Sequence, residues 1–309
     1  MAITPSGSRR GPGLILIAAL LWGTVGVASK TLSTVAHTTA LSTGFWRLAI
    51  AAPVLLAACW RACGRRSLRI PPRDLGLMLL IGATMAAYQV CFFAAIDRVG
   101  VTSAVLVTLC TAPIIVAVLA AGLLGEAPTA GVMLALAGGL LGTALLVWPG
   151  AGAAGTGSLA GIALALASAL GYSIMTLCSR ALAGRYHPLQ PMAVGFVAGA
   201  LLLLPFALAS GLVASYPLAG WALLLHLGLV PTALAFVLFL AGMRTTTATV
   251  ASVITLVEPL TGAALAWLLF GERLGPFGWL GAALLLGALA SIYRGARRAE
   301  PGTAAAEPE

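Results

Sequence analysis

Charge is what this chain has least of. Asp, Glu, Lys and Arg together make up 8% of its 309 residues, whereas 61% are hydrophobic and mean hydropathy is +1.06. An ordinary soluble domain carries roughly a quarter of its residues charged, so a soluble enzyme or a soluble binding module is excluded. Histidine is scarce: His37, His187 and His226 are far apart. There is no H-E-x-x-H and no G-x-S-x-G stretch, which argues against an intramembrane enzyme. The lack of a P-loop argues against a nucleotide-driven pump. Cys59, Cys63, Cys91, Cys110 and Cys178 show no metal-ligand spacing and lie in or beside apolar runs. They read as small packing residues. No cofactor or metal is expected.

What the chain does have is apolar length. With about 20 residues needed for one helical crossing, ten spans fit: 13–34, 39–60, 75–95, 100–123, 130–148, 158–181, 190–211, 219–242, 247–270 and 275–293. The predicted fold class is an all-α polytopic membrane protein with ten transmembrane helices. The connections are too short to hold a soluble module, so function must lie inside the bundle. The first 30 residues imitate a signal peptide, but their counterpart in span six reads them as a span.

The net charge of +9 would suit a nucleic-acid binder if it were spread over a surface. It is not. Arg9, Arg10, Arg61, Arg65, Arg66, Arg69, Arg73, Arg180, Arg185, Arg244, Arg294, Arg297 and Arg298 all fall on the side of the bundle that holds both termini. Only Arg98 and Arg273 fall on the other, with Lys30 and Arg47 inside spans. Arginine gathers on the cytoplasmic side of membrane proteins, so a cell-membrane protein with both termini in the cytoplasm is expected. Contact with anionic lipid is a secondary effect of the same charges.

The chain also repeats itself. Ala112-Pro113 followed by Gly125-Glu126 returns as Glu258-Pro259 followed by Gly271-Glu272. Ser103 and Thr249, Arg98 and Arg244, and Ser29-Lys30 and Ser179-Arg180 also align. Each copy holds five spans, an odd number, so the two must lie upside down relative to each other. The expected division is a segment 1–12, a first repeat 13–148, a linker 149–157, a second repeat 158–294 and a disordered tail 295–309. Inverted repeats of this kind mark secondary transporters. The linker contains Gly150, Gly152 and Gly155, a formal GxGxxG. Without a preceding strand it is no dinucleotide site. Gly138 with Gly142, and Gly195 with Gly199, are small pairs that let helices approach, within the chain or across a dimer.

In these residues the chain resembles the EamA type of the drug/metabolite transporter superfamily. The matching stretches are Ala19–Gly23, Arg47, Ala112-Pro113, Gly125-Glu126, Thr232–Leu240, Leu256–Leu260 and Gly271-Glu272. The resemblance covers residues 13 to 294 and implies a metabolite or drug carrier, with spans five and ten at the periphery. Where Trp22 stands in span one, the second copy has Tyr172, so the two halves of any cavity differ.

Ionisable groups within a bilayer are costly and are functional candidates by default. Glu258 lies near the midplane of span nine, Arg47 in span two and Lys30 in the outer third of span one. His226 and Gln89 add polar groups. A lone midplane carboxylate holds a proton or a substrate amine, one at a time, which suits exchange. Arg47 suits a carboxylate, because its planar fork binds one bidentately. Against these stand an ion pair between Glu258 and Arg47 or Lys30, snorkelling of Lys30, and a merely structural His226. Trp22, Trp46, Tyr88 and Tyr172 are candidates for an aromatic lining. Pro113 and Pro259, at equivalent positions, predict paired helix breaks. Glu126 and Glu272 read as caps for the helices that follow them. The expected partners are a small-molecule substrate, membrane lipid and protons as coupling ion, with no nucleic acid and a monomer or homodimer. The expected function is export of a small metabolite, an amino acid or derivative, by alternating access. The rivals are a multidrug exporter or uncoupled facilitator of the same fold and, outside transport, a lipid scramblase or an intramembrane enzyme.

Overall fold

A computed structural model describes residues 10–64, 70–147, 159–271 and 275–298. The linker 149–157, Glu272 and most of the tail lie outside the described residues. Ten helices among the described residues are long and apolar enough to cross a membrane. They are α1 (Arg10–Ala36), α2 (Ala40–Cys63), α3 (Pro72–Gly100), α4 (Ser103–Leu124), α5 (Ala130–Val147), α6 (Leu159–Ala183), α7 (Leu189–Ala209), α8 (Leu218–Gly242), α9 (Ala248–Leu269) and α10 (Pro276–Arg294). The last helix continues to Arg298, into the stretch expected as tail.

The helices alternate in direction, so the bundle has a termini face and a far face. At the termini face Gly11 of α1 meets Gly242 of α8, so closely that a Cβ on Gly11 would lie 2.9 Å from the Gly242 carbonyl. At the far face the Thr38 hydroxyl hydrogen-bonds the Tyr216 hydroxyl at 2.8 Å, joining the α1–α2 and α7–α8 connections. Between α3 and α4 the chain reverses at Gly100, whose φ of 79° lies in the left-handed region that favours glycine.

The packing pairs off between the copies. α1 packs on α8 and α9 as α6 packs on α3 and α4; α2 packs on α7, and α5 on α10. The end contacts pair off as well. Thr38 with Tyr216 at the far face has its counterpart at the termini face, where the Tyr186 hydroxyl donates to Asp74. Arg185 reaches the same carboxylate oxygen at 2.6 Å, and Asp74 is fully buried. Donation to Asp74 raises the Tyr186 phenol above its ordinary range. This arrangement is consistent with an inverted repeat.

Small residues set the tightest helix contacts. A Cβ on Gly281 of α10 would lie 2.5 Å from the carbonyl of Gly142 on α5. Gly82 of α3 meets Gly195 on α7 in the same way, 2.2 Å from a carbonyl. Gly142, Gly195 and Gly199 therefore pack within one chain, whereas Gly138 has only an ordinary contact with Ala288 at 4.0 Å. Gly281→Ala is expected to destabilise the protein by about 1–3 kcal/mol, because the backbones must separate. A lower apparent melting temperature in detergent with unchanged transport per folded molecule is the result to look for, since α5 and α10 contribute no lining to the cavity described next.

Candidate functional site

Two helices place the acid. α9 is regular from Ala248 to Thr255, breaks at Leu256 and resumes at Val257. Pro259 carries no N–H for the Thr255 carbonyl, so the ladder is interrupted there, and the Leu256 N–H turns to Val253 instead, at 3.2 Å. Glu258 sits just past this break. On α1, Gly23 has no side chain to obstruct α9: a Cβ there would lie 2.4 Å from Thr261 Cβ and 2.9 Å from the Glu258 carbonyl. The close approach puts Trp22 and Glu258 on the same cavity. The first copy behaves differently. The helix is continuous through Pro113, and its irregular turn, a π-turn, falls later, at Ala120–Leu124. The paired breaks expected at Pro113 and Pro259 are thus reduced to one.

The base comes from α2. Arg47 shares with Glu258 a cavity of about 390 Å³, and a deeper recess of about 90 Å³ is lined by both as well. Trp22, Tyr88 and Gln89 also line both spaces, and Tyr172 lines the deeper one. Gln89 fits because Gly44 leaves room, with the amide oxygen 2.3 Å from where a Cβ would stand. The wider space runs towards the far face, past Ser29 and Gly262 to Thr38 and Ala40. Tyr88, stacked on Phe92 at 5.9 Å with rings 13° apart, leads an aromatic wall that continues to Phe93.

Arg47 and Glu258 do not form an ion pair with each other, although both are half-buried on one cavity. The Arg47 Nε–H donates to the Thr232 hydroxyl at 3.1 Å. The Glu258 carboxyl makes no hydrogen bond to a described residue. An acid and a base therefore face one cavity with no ion pair between them.

Other candidates stand elsewhere. Lys30 is exposed and outside the cavity lining. His226 faces Thr24 on α1 at 3.3 Å and is also outside the lining. Trp46 donates to the Val213 carbonyl at 2.8 Å and packs edge-on against Trp221.

Towards the termini face the site is shut. Trp22 packs on Phe236 and Phe239 at 4.8 and 5.3 Å between ring centres, and Phe236 on Phe196 at 5.2 Å. Beyond this plug Arg180 donates to Glu126 at 2.6 Å and to the Met243 carbonyl at 2.6 Å. The second Glu126 oxygen accepts the Ala248 N–H at 2.8 Å. Glu126 was expected to cap the helix that follows it. Instead it caps the start of α9, in the other repeat, where a carboxylate meets the positive end of a helix. Four segments from both copies, the ends of α4, α6 and α8 and the start of α9, are joined by this clasp.

Two parts of the site escaped the sequence reading. The Glu126 clasp spans 54 and 122 residues of chain, with no local signal. Thr232 sits in a π-turn at Leu229–Leu234, and the one available cue was Pro231 in mid-span.

The EamA-like transporter family matches the chain twice, over residues 9–148 and 159–294. The chain belongs to that family. The uncharacterized transporter YwfM of Bacillus subtilis (strain 168) is 31% identical to this EamA-like transporter, with 94% of this chain and 96% of that one covered. An uncharacterized transporter of Archaeoglobus fulgidus is 32% identical over 93% and 97%. A protein of Streptantibioticus cattleyicolor, named a probable terminal-alkyne amino-acid exporter, is 32% identical over 75% and 78%. A solved crystal structure shares the fold at a TM-score of 0.79 and 23% identity, covering 96% of this chain and all of that one. The protein is a multi-pass membrane transporter, and its ten-helix EamA-like fold agrees with the sequence reading.

Proposed function

We propose that this EamA-like transporter exports an amino acid or a close derivative across the cell membrane, by alternating access and in exchange for protons. The observation that carries the reading is the pairing of Arg47 and Glu258 on one cavity without contact between them. A buried or half-buried charge is costly unless it is paired. A zwitterion supplies both missing partners, its carboxylate on Arg47 and its ammonium on Glu258. The aromatic wall from Tyr88 to Phe93 takes the apolar part of the molecule. The probable amino-acid exporter among the relatives supports the same class.

The same parts support a reading of direction and coupling. The arginine bias supports a cytoplasmic termini face; on that reading the conformation is open outward, and shut inward by the aromatic plug around Trp22 and the Glu126 clasp beyond it. Glu258 holds either the substrate amine or a proton. A substrate released outside leaves a carboxylate that takes up a proton there, and the inward return delivers it. Spans one to four and six to nine carry the alternation, while α5 and α10 stay peripheral.

Counterflow in proteoliposomes with the proteinogenic L-amino acids, their primary amines and a cationic dye tests the class. The expected result is transport of one or more amino acids, with loss of at least about tenfold in Arg47→Gln, since hydrogen bonds to charged groups are the strong ones. Transport of the dye with indifference to every amino acid would replace this reading by that of a multidrug exporter.

A further inference from the structure

We propose that Thr232 is the positioning residue of this site: by engaging Nε of Arg47 it commits the two terminal nitrogens to the anionic end of the substrate. The inference rests on the reading of Arg47 given under Proposed function and adds to it a residue and a binding mode.

A free guanidinium can grip a planar oxyanion in two ways, along the side through Nε and one Nη, or end-on through both Nη. Here Nε is spent on Thr232. Neither Nη atom has a described protein partner, and Arg47 lines both the cavity and its deeper recess. Only the end-on grip is left to a ligand.

The fold has gone to some length to provide this contact. Most helical threonines here turn their hydroxyls back onto their own helix: Thr31 to Val27, Thr84 to Leu80, Thr143 to Gly139 and Thr176 to Tyr172. That is the usual habit of the residue. Thr232, 1% exposed, meets the side chain of another helix instead. It can do so because it stands in the π-turn Leu229–Leu234, where Pro231 removes an N–H and widens the turn. One turn earlier Gly228 brings α8 against α2, with a would-be Cβ 2.7 Å from Ile50 and 3.4 Å from the Arg47 carbonyl. A π-turn, a proline and a close glycine contact converge on one hydrogen bond. A residue needed only to fill space would call for none of them.

The test uses the full-length protein in proteoliposomes and whichever amino acid the wild type moves best, with the matching primary amine as a competitor lacking the carboxylate. Thr232→Val keeps the shape and removes the hydroxyl, Thr232→Ser restores it, and Arg47→Gln is the reference. The expected result is a KM raised about tenfold in Thr232→Val with kcat little changed, the pattern of a lost ground-state contact. The serine variant should lie near wild type, and inhibition by the amine should not change. Equal losses in Val and Ser variants, or equal losses for acid and amine, would overturn the proposal by making Thr232 a scaffold residue. So would a Thr232→Val variant indistinguishable from wild type while Arg47→Gln fails, and in that case the role of Arg47 survives. Indifference of amino-acid transport to Arg47→Gln overturns the reading beneath it and this inference together.

Discussion

Acid-loaded proteoliposomes should accumulate the substrate when the protein is wild type and fail to do so when Glu258 is glutamine. A gradient of about one pH unit supplies ~1.4 kcal/mol per exchanged proton, which is about tenfold accumulation. Glutamine keeps the size of the side chain and its polar end but neither ionises nor takes up a proton. The prediction is specific: the variant should lose uphill movement altogether, while downhill counterflow falls without vanishing, because Arg47 and the aromatic wall remain. Undiminished gradient-driven accumulation in Glu258→Gln would place the coupling elsewhere or remove it, leaving a facilitator of the same fold.

Glu126→Gln should open the termini face. Arg180 and Glu126 are each 14% exposed and 2.6 Å apart, and Glu126 also caps α9. Breaking a buried pair by removing one charge costs up to roughly 3 kcal/mol, since its partner stays behind without compensation. If the clasp forms only while this face is shut, that cost falls on the shut conformation alone, and populations shift by up to about a hundredfold. Cys178, buried on α6 two residues before Arg180, is a natural reporter. With the other cysteines replaced by serine, an impermeant thiol reagent applied from the termini face should label it much faster in Glu126→Gln. Equal labelling rates would make the clasp a permanent joint of the scaffold.

Much of this molecule is legible as a string, and the reason is the solvent. A bilayer demands long apolar helices and tolerates few charges, so the spans, and the odd charges inside them, stand out. That is how Glu258 and Arg47 came forward together. Hydropathy reports depth along a helix but not direction around it, and there the reading thins. Lys30 and His226 lie at depths where they could meet a substrate, yet one faces outward and the other faces Thr24. Pro113 and Pro259 occupy equivalent places, but proline removes a hydrogen bond without deciding whether the helix bends there or further on. Glu126 shows the remaining difficulty. Its local setting, after a left-handed Gly125 and before Pro128, describes a cap for the next helix. Its actual partners belong to the other repeat, and only the assembled bundle brings them within reach.

The short stretch Ala248–Thr255 has one consequence beyond its geometry. Glu126 holds its first residue, and its last lies next to the break that carries Glu258. The segment is a stiff rod with the Glu126 clasp, proposed above as a latch, at one end and the proposed proton site, Glu258, at the other. Two events joined through one rigid body are thermodynamically linked, and linkage runs both ways. If proton occupancy at Glu258 changes how stable the closed latch is, then weakening the latch must change how tightly Glu258 holds its proton. No substitution at Glu126 can then alter the gating of this carrier while leaving its proton affinity untouched. Tuning one property for a new cargo or a new pH would retune the other.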